Sequence, residues 1–183
     1  MEAAFEKAST EHLGLIMQWL EKDHIRGFWD NSQEHKDDIR IFVEGRREGS
    51  PYFGGLFDYW VGGYAAEPFC LVMTSNLMPD DELPDLWKTH LSETGKTISV
   101  DFCIGDDRFL GKGLAADTLK GFVRFYSSVI DPQADTFLID PAIDNPRAEH
   151  VYAKAGFVPL GTYLVQSGVF AGRGHHLMVL KAL

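Results

Sequence analysis

Apolar positions recur along the chain with two periods, one of helices and one of strands. Residues 3–8 alternate weakly and predict a short opening strand. Leu13, Ile16, Met17 and Leu20 then share one helical face, behind Ser9 and Thr10, both good N-caps. The segment His24-Ile25-Arg26-Gly27-Phe28-Trp29-Asp30 breaks that pattern. A second helix follows from Ser32, with Ile39, Phe42 and Val43 inward and its many charges outward, and it ends near Gly45 to Gly49. Pro51 to Asp58 predicts a strand, and Val61 to Ala66 begins another, together an antiparallel hairpin. Its glycines mark bulges or close backbone approach. Residues 69–75 continue apolar, and residues 79–95, with Asp, Glu, Pro and Trp87, predict an irregular loop or short helical excursion.

The second half repeats the alternation more sharply. Thr97 to Ile104 reads as the central strand. Leu114, Leu119, Phe122 and Tyr126, with Ala115 and Val123 beside them, make a long amphipathic helix. Thr136 to Asp140 is a strand, and Asn145-Pro146 opens a helix with Ala148, Val151, Tyr152 and Ala155 on one face. Gly156 stops it, and Phe157 to Val165 and His176 to Leu180 close the chain as two strands. The order is strand, two helices, three strands, helix, strand, helix, two strands, which is mixed α/β. Nothing divides residues 1–183 by repeat, low-complexity tract or linker, so one domain is expected.

Charge narrows the partners. A net charge of −10 argues against nucleic acid, which needs a basic footprint, and suits a cationic small molecule. Solubility alone also explains an acidic chain. No apolar run reaches membrane-span length, and the N-terminal residues lack a secretory pattern, so a cytoplasmic protein with no membrane partner is expected. Cys70 and Cys103 lie in apolar strand-like runs and read as free thiols of a reducing compartment. Neither metal-ligand spacing nor a Ser-His-Asp set is present, and His175-His176 reads as structural.

The central strand leads through a short acidic turn into Arg108-Phe109-Leu110-Gly111-Lys112-Gly113-Leu114 and then a helix. A strand, a glycine loop and a helix N-terminus in that order cradle phosphates, because free N–H groups and the helix dipole meet there. The Gly111-x-Gly113-x-x-Ala116 spacing also fits a dinucleotide fingerprint, but that belongs in the first strand–helix unit of its fold, and here several strands precede it. Arg108 and Lys112 are either a solvated pair or phosphate partners.

Two motifs taken together resemble a known family. Arg108-x-x-Gly111-x-Gly113, followed by Asn145-x-x-Ala148-x-x-x-Tyr152-x-x-x-Gly156-Phe157, is similar to the acetyl-CoA site of the GCN5-related N-acetyltransferases. Asp101, Asp140-Pro141, Asn145 to Ala148, Tyr152 to Phe157, and His24-Ile25 with Phe28-Trp29 look most like its aminoglycoside 6'-N-acetyltransferase branch. Residues 79–95 and 163–176 depart from that pattern. The resemblance implies a central, mostly antiparallel mixed sheet of about seven strands, splayed between two central strands and flanked by about four helices. It implies acetyl-CoA as co-substrate, no metal, and a primary amine of an aminoglycoside as acceptor, with antibiotic resistance as the consequence. The donor would be held by Phe102, Cys103, Ile104, Arg108 to Leu114 (with Phe109, Leu110 and Lys112), Asn145, Ala148 and Lys154.

The resemblance makes Tyr152 the general acid, whereas residue type alone equally suits a core tyrosine. A phenol near pKa 10 stays protonated at neutral pH and can donate to a leaving thiolate. Asp101, an acid inside an apolar strand, needs a partner; it either makes a structural hydrogen bond or holds the acceptor ammonium and takes its proton. Asp140 is a turn initiator or a second ammonium anchor, and Trp29, Trp60 and Trp87 are core or flat faces for a sugar or cation. Rival acceptors are a hydroxylysine-type siderophore precursor and a polyamine. A non-catalytic CoA- or cation-binding module is the rival of another class. Monomer and homodimer both remain open.

Overall fold

A computed structural model describes residues 2–182. Seven strands form one mixed sheet: β1 (Ala4–Lys7), β2 (Asp58–Tyr64), β3 (Glu67–Leu77), β4 (Lys96–Ile104), β5 (Ala134–Ile139), β6 (Val158–Leu164) and β7 (Gly174–Lys181), in the order β1-β2-β3-β4-β5-β7-β6. Six α-helices among the described residues accompany them: α1 (Thr10–Leu20), α2 (Asp23–Arg26), α3 (Gln33–Val43), α4 (Asp85–Lys88), α5 (Leu114–Phe125) and α6 (Pro146–Ala155). Four are long and two are single turns, which accounts for the expectation of about four. The chain forms two compact units, one of residues 1–74 and 102–112, the other of residues 75–101 and 113–183. No helix among the described residues is long and apolar enough to cross a membrane.

In the first unit, Ile16, Trp19 and Leu20 of α1, Ile39 of α3, Tyr59 and Val61 of β2, and Leu71 of β3 build one apolar core. Ser32 caps α3 as its spacing predicts, accepting from the His35 amide over 3.2 Å. The helix is less simply amphipathic than expected, because His35 and Asp38 are fully buried. Asp38 accepts from Tyr59 Oη at 2.7 Å, from Arg46 Nη2 at 2.6 Å, and from the Ser50 hydroxyl. A buried carboxylate with that many donors is compensated. Pro51 to Asp58 is not a strand: it turns through Phe53–Gly55, where Gly54 and Gly55 have φ of 68° and 79°, and β2 begins at Asp58. The hairpin therefore pairs β2 with β3 through a tight turn at Ala65-Ala66, both at positive φ. Its register shifts at Gly62/Gly63, and a Cβ on Gly62 would stand 2.8 Å from the Phe5 ring.

In the second unit, β4 pairs with β5 in parallel only from Lys96 to Ser99, against Ala134 to Leu138. β4 runs on to Ile104 while β5 turns its other edge to β7. Leu119, Phe122 and Val123 bury one face of α5, which packs against α6. The helix closes on one wide turn, Asp131 N–H to Tyr126 C=O at 2.9 Å, an i→i+5 bond. Asn145 caps α6, Pro146 opens it and Gly156 ends it at φ 106°. β6 carries a register shift between Pro159 and Gly161.

Candidate functional site

Four side chains from four successive parts of the second unit converge. Asp101 comes from β4, Asp140 from the end of β5, Tyr163 from β6 and His175 from β7. The pairing that brings Tyr163 opposite His175 is the β6–β7 register. The Asp140 end is tied to the start of β7 by His176 N–H to Pro141 C=O at 2.9 Å and Ile143 N–H to Gly174 C=O at 2.9 Å. Asp140 Oδ2 then accepts from the Tyr163 hydroxyl and from His175 Nδ1, the latter at 2.8 Å. His175 Nε2 is buried with no hydrogen-bond partner among the described residues. Trp87 of α4 stands edge-on to Tyr163, ring centroids 6.0 Å apart.

The electrostatics of this cluster are unusual for carboxylates. The Asp101 carboxyl is pushed up to about 7, first by desolvation, then by the like charge of Asp140, with His175 acting against both. Part of the residue's surface stays accessible, so protein packs densely around the carboxyl without sealing it off. Burial pulls the His175 imidazole down, but the hydrogen bond and charge of Asp140 outweigh it and the net shift is upward. Burial and the neighbouring Asp140 push the Tyr163 phenol up, so it remains a donor at neutral pH. Two acids, a phenol and an imidazole in contact can hold a cation and accept a proton near neutrality.

Sequence reading singled out Asp101 and Asp140 but missed their partners. It took His175 as structural, and it left Tyr163 unnamed because alternation along an edge strand does not say what lies opposite. The signal was there: a Tyr and a His sit at facing ends of two closing strands, on the side of an Asp-Pro turn.

The tryptophans sort differently from expectation. Trp60 is fully buried in β2 and donates through Nε1 to Thr74 Oγ1 at 2.9 Å, so it is a core residue and leaves the acceptor set. Trp29 is buried in the first unit's apolar core. Trp87 is buried too, but against Tyr163 and beside Leu138 and Leu177.

The glycine loop before α5 has the backbone shape its sequence suggests. Gly111 and Gly113 have φ of 71° and 74°, a region an L side chain enters only with strain, and a Cβ there would meet nothing within 4 Å. The glycines are needed for backbone shape, not for room. Gly113 is the N-cap of α5 and has no side chain to satisfy the first-turn N–H groups, starting at Leu114. That open helix start fits a pyrophosphate. Phe109 stacks on Phe69, centroids 4.8 Å apart, which anchors the loop. The Arg108 guanidinium is already held by Asp106 at 2.6 Å and Glu67 at 2.7 Å. Those contacts run through its Nε and Nη2 atoms. Lys112 lies over the Phe109 ring at 5.6 Å.

β4's outer end is fixed by its neighbours in the first unit. Phe102 and Ile104 are buried and Cys103 is half-buried. His24 Nε2 lies 2.8 Å from the Ile104 carbonyl. Cys103 and Cys70 are both free thiols, and burial pushes Cys70 up, beyond reactivity. On α6, Tyr152 is buried and Ala148 N–H donates to Asn145 Oδ1 at 3.2 Å, while Lys154 is exposed. Asn145 is thus first a helix cap. No group of three or more His, Cys, Asp or Glu side chains suited to a metal occurs among the described residues.

The family model of the acetyltransferase (GNAT) domain matches residues 8–164. The chain belongs to this family. It is 25% identical over 166 residues to the aminoglycoside N(6')-acetyltransferase type 1 of Klebsiella pneumoniae, covering 87% of this chain and 76% of that one. Its fold is similar to a crystal structure of aminoglycoside N(6')acetyltransferase from Legionella pneumophila, with TM-score 0.75, 24% identity, and 99% and 92% of the two chains covered. It is also similar to AAC(6')-Ib solved with paromomycin and acetyl-CoA, with TM-score 0.74, 20% identity, and 99% and 94% covered.

Proposed function

We propose that this GNAT acetyltransferase moves the acetyl group of acetyl-CoA to the 6'-amino group of an aminoglycoside, by direct attack in a ternary complex. The observation that carries the reading is the acid cluster of Asp101 and Asp140, backed by Tyr163 and His175. An aminoglycoside is polycationic, and its reacting amine is an ammonium at neutral pH. It must be held by anions and lose a proton before it can attack. Asp101, with a carboxyl near 7, is matched to take that proton, directly or through water. Asp140 supplies the fixed counter-charge. The net charge of −10 draws polycations toward the protein.

The donor set follows the family motif along the chain: Phe102 to Ile104, Arg108 to Leu114, Asn145, Ala148 and Lys154. β4 runs on past its last pairing with β5 at Ser99, and its main chain there would pair with a pantetheine arm and polarise the thioester carbonyl. The neutral amine attacks that carbonyl, the adduct nitrogen gives up its extra proton to solvent, and as the adduct collapses Tyr152 gives its proton to the departing thiolate and is reprotonated from solvent. Acetyl-CoA is already activated, so no covalent enzyme intermediate is required. Expression in a host would then raise resistance to the modified aminoglycosides, and the reaction would take place in the cytoplasm.

The test is an assay of thiol release from acetyl-CoA with kanamycin, hydroxylysine and spermidine, and localisation of the acetyl group on the product by NMR. Saturable turnover of kanamycin with 6'-N-acetylation supports the proposal. Saturation by hydroxylysine or spermidine alone overturns it.

A further inference from the structure

We propose that the acceptor site exchanges a proton for its cation: in the empty enzyme His175 carries a proton on Nε2 and serves as internal counter-ion to Asp101 and Asp140, and the acceptor's ammonium displaces that proton to solvent. The inference rests on the acceptor-site reading above and adds to it how binding is regulated.

The geometry points to this role. His175 Nδ1 is committed to Asp140 Oδ2 at 2.8 Å, so Nδ1 keeps its proton in either state of the ring. Nε2 is the atom left to titrate. It is buried and has no partner among the described residues. With its proton on, it is a buried donor with nothing to receive it, tolerated because two carboxylates stand nearby. With its proton off, the ring carries no charge to repel a cation held by the two carboxylates. The two states are thus each suited to one occupant: a proton when the site is empty, a substrate cation when it is full.

The surrounding charges agree. Asp101 on β4 and Asp140 at the end of β5 are negative neighbours. Tyr163 on β6 stays neutral and donates to Asp140. Arg173, just before β7, works against the protonated ring, and its guanidinium is engaged by Asp144 at 2.7 Å. The neighbouring His176 lies 3.8 Å from Glu149, a separate pair. Trp87, packed on Tyr163 from α4, adds no charge. An incoming cation lowers the proton affinity of His175 and of Asp101 alike, so binding releases protons; uptake would need a group of opposite sense, and the cluster has none. Where an imidazole joins a carboxylate pair, a site can match cation affinity to pH.

The test reads His175 itself. Nitrogen-15 imidazole NMR of the full-length enzyme near pH 7 is recorded alone, with kanamycin, and with decamethonium, a quaternary dication that has no proton to give or take. The expected result is that the Nε2 signal moves from the protonated to the neutral position with either cation. Titration calorimetry of decamethonium in buffers of different ionisation heat should show net proton release. Its affinity should rise about tenfold per pH unit below the cluster's titration, and His175→Gln should flatten that slope. Kanamycin acetylated normally while the His175 signal stays where it was overturns the inference and leaves the proposed function standing. Failure of both cations to bind overturns both. The wild-type NMR decides the matter should the variant not fold.

Discussion

The Trp19 indole lies against the main chain of Gly105, so closely that a Cβ at position 105 would stand 2.0 Å from a ring carbon. The contact locks α1 to the turn leaving β4, where the Gly105 and Asp106 amides both donate to the Phe69 carbonyl, at 2.8 and 3.1 Å. Gly105→Ala must push a buried tryptophan or break this turn. We expect a loss of about 1–3 kcal/mol, the usual cost of overpacking, measured by urea unfolding. Stability within error of wild type would show that the contact yields freely.

Asp38 organises another part of the same unit. Its carboxylate is fully buried and takes three donors, one of them the Arg46 guanidinium. Asp38→Ala removes the carboxylate that Arg46, Ser50 and Tyr59 share, while Arg46 keeps the Gly55 and Phe57 carbonyls and Ser50 the Tyr52 carbonyl. Breaking a buried pair from one side costs about 3–5 kcal/mol. The exposed Lys7–Asp58 pair at 3.1 Å is the control: Asp58→Ala should cost no more than about 1 kcal/mol. Equal costs for the two variants would contradict the burial argument.

The pH profile follows from Asp101. Its raised folded-state value means it binds protons more tightly folded than unfolded. Its contribution to stability is therefore full below the ordinary carboxylate range and is lost as pH rises toward about 7. Activity runs the other way, because the base must be ionised. We expect kcat/KM for an amine acceptor to climb with pH and level off above about 7, and Asp101→Asn to lose both that limb and most of the rate. A flat profile between pH 6 and 8 would remove Asp101 from the proton path.

Tyr152 divides enzyme from binding module. Tyr152→Phe keeps the ring that packs beside Phe157, at 6.4 Å between centroids, and deletes only the hydroxyl. We expect kcat to fall about 10²–10⁴-fold, the range for a positioned general acid, with acetyl-CoA affinity retained. Unchanged turnover of every amine would end the general-acid role. If wild type binds acetyl-CoA and acetylates no amine at all, the chain is a binding module.

Gly113 tests the donor cradle. At φ 74° an alanine costs about 1–2 kcal/mol in local strain, and that strain falls on the first turn of α5. Gly113→Ala should raise the KM for acetyl-CoA and leave acceptor binding unchanged. The reverse pattern would place the cradle elsewhere.

What could be read from sequence was what is written locally. Ser32, Asn145-Pro146 and Gly156 announced helix ends because capping is a matter of a few neighbouring residues. The two-motif signature announced the family for the same reason. The hairpin was misframed because Pro51 to Asp58 has apolar and aromatic residues at strand-like density, and only the positive φ of Gly54 and Gly55 shows that they pack as a turn. Asp38 was placed outside because a helix full of charges gives no sign that Arg46, Ser50 and Tyr59 wait for one of them. Tyr163 and His175 were missed on the same principle. Their meaning lies in cross-strand register, and register is a long-range property.

β6 has a consequence beyond the site. It is the outer strand of the sheet, and Val158 and Leu164 both face solvent. Such an edge invites another chain to add a strand. Pro159 has no N–H to offer, and the register slips between it and Gly161. A second molecule therefore finds an interrupted row of donors where a continuous one would seed aggregation, and this one proline guards the protein's colloidal behaviour.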